Sequence, residues 1–411
     1  MKSGHLSDYF VGVAAKVLKA TEVDPLTSRG HEYQGVDAFR QFLGTPAEKQ
    51  KIPVTYVWLT DDNPPATSVL TGTWYNSRGN QDHRSAEYRL YYPAAAEEIV
   101  RSAKPGDTLF FCKPKTGPLL AIACPSQSSI EQQLLWLFGL HPAEQFSESQ
   151  RDLSKEKGKQ LDFTARYILE LIGIEVSVTD DDWLERLLKN FGQEFPPTGA
   201  FSKFARDNLA DIDPVADPDH ALLEWIDFEE KLFRTLERHI VGERLKSGFM
   251  IDKVADVDGF VSYSLGVQNR RKSRVGLALE HHVETILKAN NIKHQRGVET
   301  ENKNKPDFLF PGLVEYRDKD FPATNLAMLG TKTTCKDRWR QVLSEANRIE
   351  TKHLLTLEPS ISESQTDETK AKKLQLVLPQ NLHDSYKSSQ KDWLMKLKEF
   401  ISLVRERQPK T

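Results

Sequence analysis

Cysteine is scarce in this 411-residue chain, which has only Cys112, Cys124 and Cys335. Three scattered thiols are too few for a disulfide framework or a four-ligand zinc site, so a reducing, cytoplasmic setting is expected. Long apolar runs are missing too. No stretch approaches the ~20 residues that cross a bilayer as a helix, and no membrane segment is expected. The nearest, Tyr9–Leu18, has the apolarity of a secretory leader. Asp8 before it and Lys16 inside it spoil that reading, and Phe10, Val13 and Val17 read as one face of a helix. Nor is there an excess of one charge. Fifty-six Lys+Arg against 59 Asp+Glu leave a net charge of −3, so the chain as a whole is not a polycation. No low-complexity segment or internal repeat is present.

What is there is the composition of a globular protein, 38% hydrophobic and 28% charged. The length points to two or three domains at roughly 150 residues each. The first third reads as β-rich, with short β-branched and aromatic runs at Val54–Leu59, Ser68–Tyr75, Tyr88–Tyr92, Thr108–Cys112 and Leu119–Ala123. Turn-forming clusters such as Asn63-Pro64-Pro65 separate them, which favours a barrel or sandwich. A polar stretch from Glu144 to Lys159 reads as linker. These features give a first domain over 1–150, a linker over 151–192 and a second domain over 193–411. The second domain is α/β in pattern. A helix carrying Leu279, Val283, Ile286 and Leu287 is followed by strands at Lys293–Val298, Asp307–Phe310 and Leu326–Thr334. Next come a helix over about Lys336–Glu350, strands at His353–Leu357 and Leu374–Leu378, and a closing helix bearing Trp393, Leu397, Phe400, Ile401 and Val404.

Charge is uneven along the chain. Between Gly266 and Lys305 there are nine Lys/Arg and four Asp/Glu, a basic patch suited to phosphate contact. Asp307 begins one apolar strand and Lys332 ends the next, so pairing of these strands would bring an acid and an amine to one sheet edge. Glu345 and Glu280 flank the apolar stripes of the neighbouring helices. Crowded carboxylates repel one another unless a cation neutralises them, and Mg2+ is the oxygen-loving cation for a phosphate site. It would polarise a phosphate and lower the pKa of an attacking water, with Lys332 stabilising the developing charge. A strand-start aspartate, a surface glutamate and a solvated lysine remain the plain alternatives.

Lys336-Asp337-Arg338 follows Lys332, where side chains could read base edges. Arg and Lys pair with guanine and Asp accepts from cytosine, so the mixture suits G·C pairs. A helix-start acid beside a solvated arginine is the bland reading. Arg270, Arg271, Lys272 and Arg274 form the densest basic run and would lie along a nucleic-acid backbone. His281 and His282 lack metal-ligand spacing and read as structural.

Three segments, Asn269–Arg274, Lys305–Pro311 and above all Lys332–Gln341 (KTTCKDRWRQ), resemble the EcoRII-like type II restriction endonucleases. The resemblance is dense over about Ser262–Leu357 and implies a PD-(D/E)XK nuclease domain. It implies a permuted site in which the usual acid two residues before the lysine is absent, as with Gly330 here, and a helix glutamate replaces it. Asp307, Lys332 and Glu345 are then catalytic, Asp307 and Glu345 hold Mg2+, and Glu280 is a supporting acid. Lys336, Asp337 and Arg338 match the segment that reads the outer C·G pairs of CCWGG-type sites. The N-terminal third is similar to the family's effector domain, a B3-like DNA-binding pseudobarrel. Its anchors are Gly30-His31, Tyr75-Asn-Ser-Arg78 and the stretch with Arg84, Glu87 and Arg89, which implies second-site DNA contacts from His31, Arg78, Arg84, Glu87 and Arg89.

The expectation is a Mg2+-dependent, site-specific endonuclease of double-stranded DNA, acting as a homodimer, with a cognate DNA methyltransferase as the protecting partner. A DNA-binding regulator would have no use for Asp307, Lys332 and Glu345 together. A structure-specific repair nuclease would lack a base-reading cluster.

Overall fold

The computed structural model describes residues 4–408 other than 25–26, 28–29, 36, 80–82, 143–147, 154–157, 177–179 and 336–338. The chain divides into two compact units, residues 2–176 with 360–363 and residues 177–359 with 364–411.

The first unit is built on one eight-stranded sheet. Its strands are β1 (Phe10–Val17), β2 (Glu32–Gln34), β3 (Gln50–Trp58), β4 (Ala66–Asn76), β5 (Tyr88–Tyr91), β6 (Thr108–Pro114), β7 (Leu119–Cys124) and β8 (Glu148–Asp152). They lie in the order β2-β5-β4-β3-β7-β6-β1-β8. Every neighbouring pair is antiparallel except β3 and β7. Successive side chains alternate between two cores, as the period of a strand requires. Val13, Ala15, Phe110, Cys112, Leu120 and Ile122 pack with the helices Ser129–Phe138 and Phe163–Leu171. Ala14, Leu109, Phe111, Leu119, Ala121 and Ala123 pack on the other face with Phe39, Tyr56 and Trp74.

This two-sided burial corrects the expected helix at Tyr9–Leu18. The segment is β1, an inner strand buried on both faces, and such strands read as unbroken apolar runs without a two-residue period. The expected linker over 151–192 is corrected in the same way. Arg151 and Asp152 end β8, which pairs with β1, and Ala165, Ile168 and Leu169 belong to the first unit's core. The helix Asp181–Phe191 opens the second unit and buries Leu187 there.

In the second unit, two long helices, Pro218–Ser247 and Val257–Ala289, pack together and carry most of the helical mass. Each starts from an aspartate cap. Asp217 accepts from the backbone N–H of His220, and Asp256 from that of Gly259. Between the helices lies a hairpin of β9 (Met250–Ile251) and β10 (Val254–Ala255). A five-stranded sheet follows in sequence order: β11 (Gln295–Arg296), β12 (Phe308–Phe310), β13 (Ala327–Lys332), β14 (Lys352–Thr356) and β15 (Leu374–Val377). Its first three strands pair antiparallel and its last three parallel. No helix among the described residues is long and apolar enough to cross a membrane.

The expected helix over 336–350 shrinks to Trp339–Val342 among the described residues. Residues 343–350 are turns, with Ala346 at φ 48°, a left-handed conformation no helix accommodates. Trp339, Val342, Ala346 and Ile349 are nonetheless all buried, so their spacing reported burial rather than helix. A helix at Glu363–Ala371 went unforeseen because it has no apolar stripe and buries only Thr366 and Thr369.

Gly330 shows how closely β13 and the short helix approach. A Cβ there would stand 3.1 Å from Val342 Cγ2, so a side chain at this position would push on the short helix. Gly330→Val is expected to lower unfolding stability by about 1–3 kcal/mol in a urea titration, with the midpoint falling accordingly.

Candidate active site

Sheet register creates the central pairing. β12 and β13 run antiparallel with Phe308 opposite Leu329, so Asp307, just before β12, meets the C-terminal end of β13. Asp307 Oδ2 accepts from the Thr331 backbone N–H at 2.6 Å, the Thr331 hydroxyl at 3.1 Å and the Lys332 ammonium at 3.2 Å. These three donors fix the position of the carboxylate.

Two more acids feel this charge. Glu345 sits in the turns after Trp339–Val342, where burial, then the charge of Asp307, pushes its carboxyl up to about 7 against the pull of Lys332 and Lys352. Glu280, on the helix Val257–Ala289, is likewise held above the usual carboxylate range by burial, with Asp307 adding to the rise. Its Oε2 accepts from Arg296 Nη2 at 2.6 Å and Nε at 3.1 Å. Arg296 also reaches Glu284 Oε2 at 3.1 Å and His281 Nδ1 at 3.0 Å. The four residues singled out in the sequence, Glu280, Asp307, Lys332 and Glu345, thus share one electrostatic neighbourhood.

Sequence reasoning missed Arg296 and Lys352. Arg296 lies on β11 opposite Phe308, and its role depends on a strand pairing no local pattern reveals. Lys352 starts β14 and donates to the Ile349 carbonyl at 2.9 Å. Among the described residues no group of three or more His, Cys, Asp or Glu is arranged to hold a metal ion. Asp307 and Glu345 are two carboxylates whose mutual repulsion a divalent cation would relieve.

The basic run divides by helix face. Arg270 and Lys272 are exposed, with the Arg270 guanidinium 4.1 Å from the Phe195 ring centroid. Arg271 is half-buried against Glu237, at 2.6 Å. Arg274 corrects the expectation of a DNA contact. It is buried, with Nη1 2.9 Å from Glu229 Oε1 and Nη2 paired to Glu230, because this face of the helix meets Pro218–Ser247. His282 is buried 2.8 Å from the same Glu229, in line with a structural reading. Lys336, Asp337 and Arg338, expected to read bases, lie outside the described residues.

In the first unit Arg78, Glu87 and Arg89 come together. Glu87 pairs with both arginines, and Arg89 continues to Glu32 at 2.8 Å, which also binds the Tyr75 hydroxyl. His31 Nε2 lies 3.1 Å from Glu97, apart from this network, and Arg84 is exposed in the loop between β4 and β5.

Residues 233–401 match the family described as EcoRII C terminal. The chain is 41% identical over 187 residues to the type II restriction enzyme EcoRII of Escherichia coli, covering 45% of each protein. It is 31% identical over 158 residues to the type II restriction enzyme SsoII of Shigella sonnei, covering 34% of this chain and 51% of the relative. The chain thus spans about half the length of the two relatives. Among solved structures, it is similar to metal-depleted Ecl18kI in complex with uncleaved, modified DNA (TM-score 0.45, 18% identity, 56% of this chain and 85% of the other). It is also similar to the restriction endonuclease PspGI–substrate DNA complex (TM-score 0.43, 12% identity, 54% and 94%). The expected restriction-endonuclease-like class of the second unit agrees with the family match.

Arg274→Ala would remove the buried guanidinium shared by Glu229 and Glu230, leaving His282 beside the first and Arg234 beside the second. Equilibrium unfolding is expected to show a loss of about 3–5 kcal/mol, far beyond the effect of removing a surface phosphate contact.

Proposed function

We propose, from the match of residues 233–401 to the family described as EcoRII C terminal and the 41% identity to EcoRII, that this chain is a type II restriction endonuclease that hydrolyses double-stranded DNA at a CCWGG-type site. The observation that supports the reading is the Asp307–Lys332 pair where β12 meets the end of β13, with Glu345 within its electrostatic reach, all inside the matched segment. Asp307 and Glu345 are the residues that would hold Mg2+, which would supply Lewis-acid polarisation of the phosphate and a water of lowered pKa. Lys332 keeps its ammonium beside Asp307 and stabilises negative charge that builds on the phosphate. Glu280, clamped by Arg296, supports the site from the helix behind it. Lys336, Asp337 and Arg338 read the outer C·G pairs, while Arg270 and Lys272 follow the backbone.

The first unit is, on this reading, a B3-like domain that binds a second copy of the site. The support is its β-rich sheet and the grouping of Arg78, Glu87 and Arg89. Two strands cut at a two-fold site call for two copies of the chain, one active centre per strand. An enzyme of this kind works in the cytoplasm beside a methyltransferase that protects the cell's own sites.

The test uses plasmids carrying zero, one or two CCWGG sites with Mg2+. Wild type is expected to give discrete fragments ending at those sites, and Lys332→Ala none. Cutting elsewhere would revise the target, and binding without cutting in any plasmid would favour a regulator. The two-site plasmid is expected to be cut faster, and Arg89→Ala to abolish that advantage. An advantage unchanged in Arg89→Ala would contradict the proposed contact.

A further inference from the structure

Glu345 sits on a turn whose own hydrogen bonds are at the long end of the normal range. Its N–H donates to the Val342 carbonyl at 3.2 Å, and the Ser344 N–H to that of Gln341 at 3.2 Å. A firmer grip comes from outside, from the loop that leads into Asp307. Asn304 Nδ2 donates at 2.8 Å to the Ser344 carbonyl, which belongs to the peptide group joining Ser344 to Glu345. Two residues past Glu345, the Asn347 N–H donates to Glu301 Oε2 at 3.4 Å. Glu345 therefore lies between two hydrogen bonds made to one short loop.

That loop is itself held in place. Asn302 and Lys303 have φ of 57° and 61°, a left-handed reversal that costs non-glycine residues free energy and persists where the surroundings enforce it. The Thr300 N–H closes the reversal on the Asn304 carbonyl at 2.8 Å, and the Asn304 N–H on the Glu301 carbonyl at 3.0 Å. The hydroxyl of buried Tyr316 lies 2.7 Å from both carboxylate oxygens of Glu301. Burial works against the Glu301 charge, but the Tyr316 bond, backbone donors and Arg348 hold its carboxyl below the usual range. Arg348 ties down the far end of the turn. Its N–H reaches the Tyr316 hydroxyl at 3.3 Å, and its guanidinium donates to the carbonyls of Tyr316, Asp318 (2.8 Å) and Phe321 (2.8 Å). Only Lys305 and Pro306 separate Asn304 from Asp307, and the proline restricts its own φ and the residue before it.

The backbone on both sides of Glu345 is thus fixed to the segment that delivers Asp307. We propose that Asn304 and Glu301 are positioning residues that clasp the Glu345 turn to the entry of β12 and set the spacing of the Glu345 and Asp307 carboxylates. The proposal rests on the nuclease reading for the consequence of that spacing in DNA cleavage. The clasp itself can be tested without it.

Hydrogen exchange of the full chain, followed by mass spectrometry without DNA or metal, tests the clasp. In Glu301→Ala/Asn304→Ala, exchange over residues 343–350 is expected to quicken roughly tenfold, with β13 and β14 as protected as in wild type. Cleavage at saturating DNA is expected to slow roughly tenfold or more, because a small misplacement of a reacting group is costly. The DNA concentration for half-saturation is expected to stay the same. Glu301→Gln, which keeps an oxygen to accept from Asn347 and Tyr316, is expected to restore most of the rate. Should the double variant misfold, Asn304→Asp carries the test, having the same shape but no donor for the Ser344 carbonyl. Exchange over 343–350 unchanged in folded variants, or a cleavage rate unchanged where exchange quickens, would overturn the proposal, as would a loss confined to DNA affinity. A wild type that cuts no DNA would sink the nuclease reading, and the exchange measurement would still decide the clasp.

Discussion

The meeting of Asp307 with the end of β13 is the constraint on which the second unit's site depends. It follows from an antiparallel register that sets Phe308 against Leu329, and a slip of one residue would turn each side chain to the opposite face. Thr331 and Lys332 then supply three hydrogen bonds to one carboxylate oxygen. Burial lifts Glu345 and Glu280, and that anchored charge adds to the rise in both. Glu345 and Glu280 thus stand within electrostatic reach of the Asp307–Lys332 pair.

Away from this centre, buried charge is matched at close range. Glu229, Glu230 and Glu237 project from one long helix toward Arg271, Arg274 and His282 on the other. Pairs of this kind contribute little net stability against an apolar alternative, but they penalise any other alignment of the helices because a stranded charge is costly. The helix alignment in turn fixes where Glu280 stands relative to Asp307.

Much of this was legible in the sequence, for physical reasons. Asp307 and Lys332 stood at the ends of two recognisable strands, and pairing those strands was enough to bring them together. Five strands of the first unit were visible because turn residues bracket them. β1 was not, since a strand buried on both faces loses its alternation. Glu345 was assigned to the wrong element, because burial at Trp339, Val342, Ala346 and Ile349 imitates a helix while Ala346 breaks one. Arg274 was misjudged because a dense basic run does not say which helix face meets a partner. The signal was the row of acids at Glu229, Glu230 and Glu237 on an otherwise apolar helix face. Arg296 carried no local signal, because its place depends on long-range pairing.

The central claim is that Asp307 and Glu345 form one cation site. Calorimetric titration of the full chain with Mg2+, in the absence of DNA, tests it most directly. The account predicts one bound ion per chain, with Asp307→Asn and Glu345→Gln each weakening binding by more than roughly tenfold. Equal Mg2+ binding by wild type and both variants would contradict it.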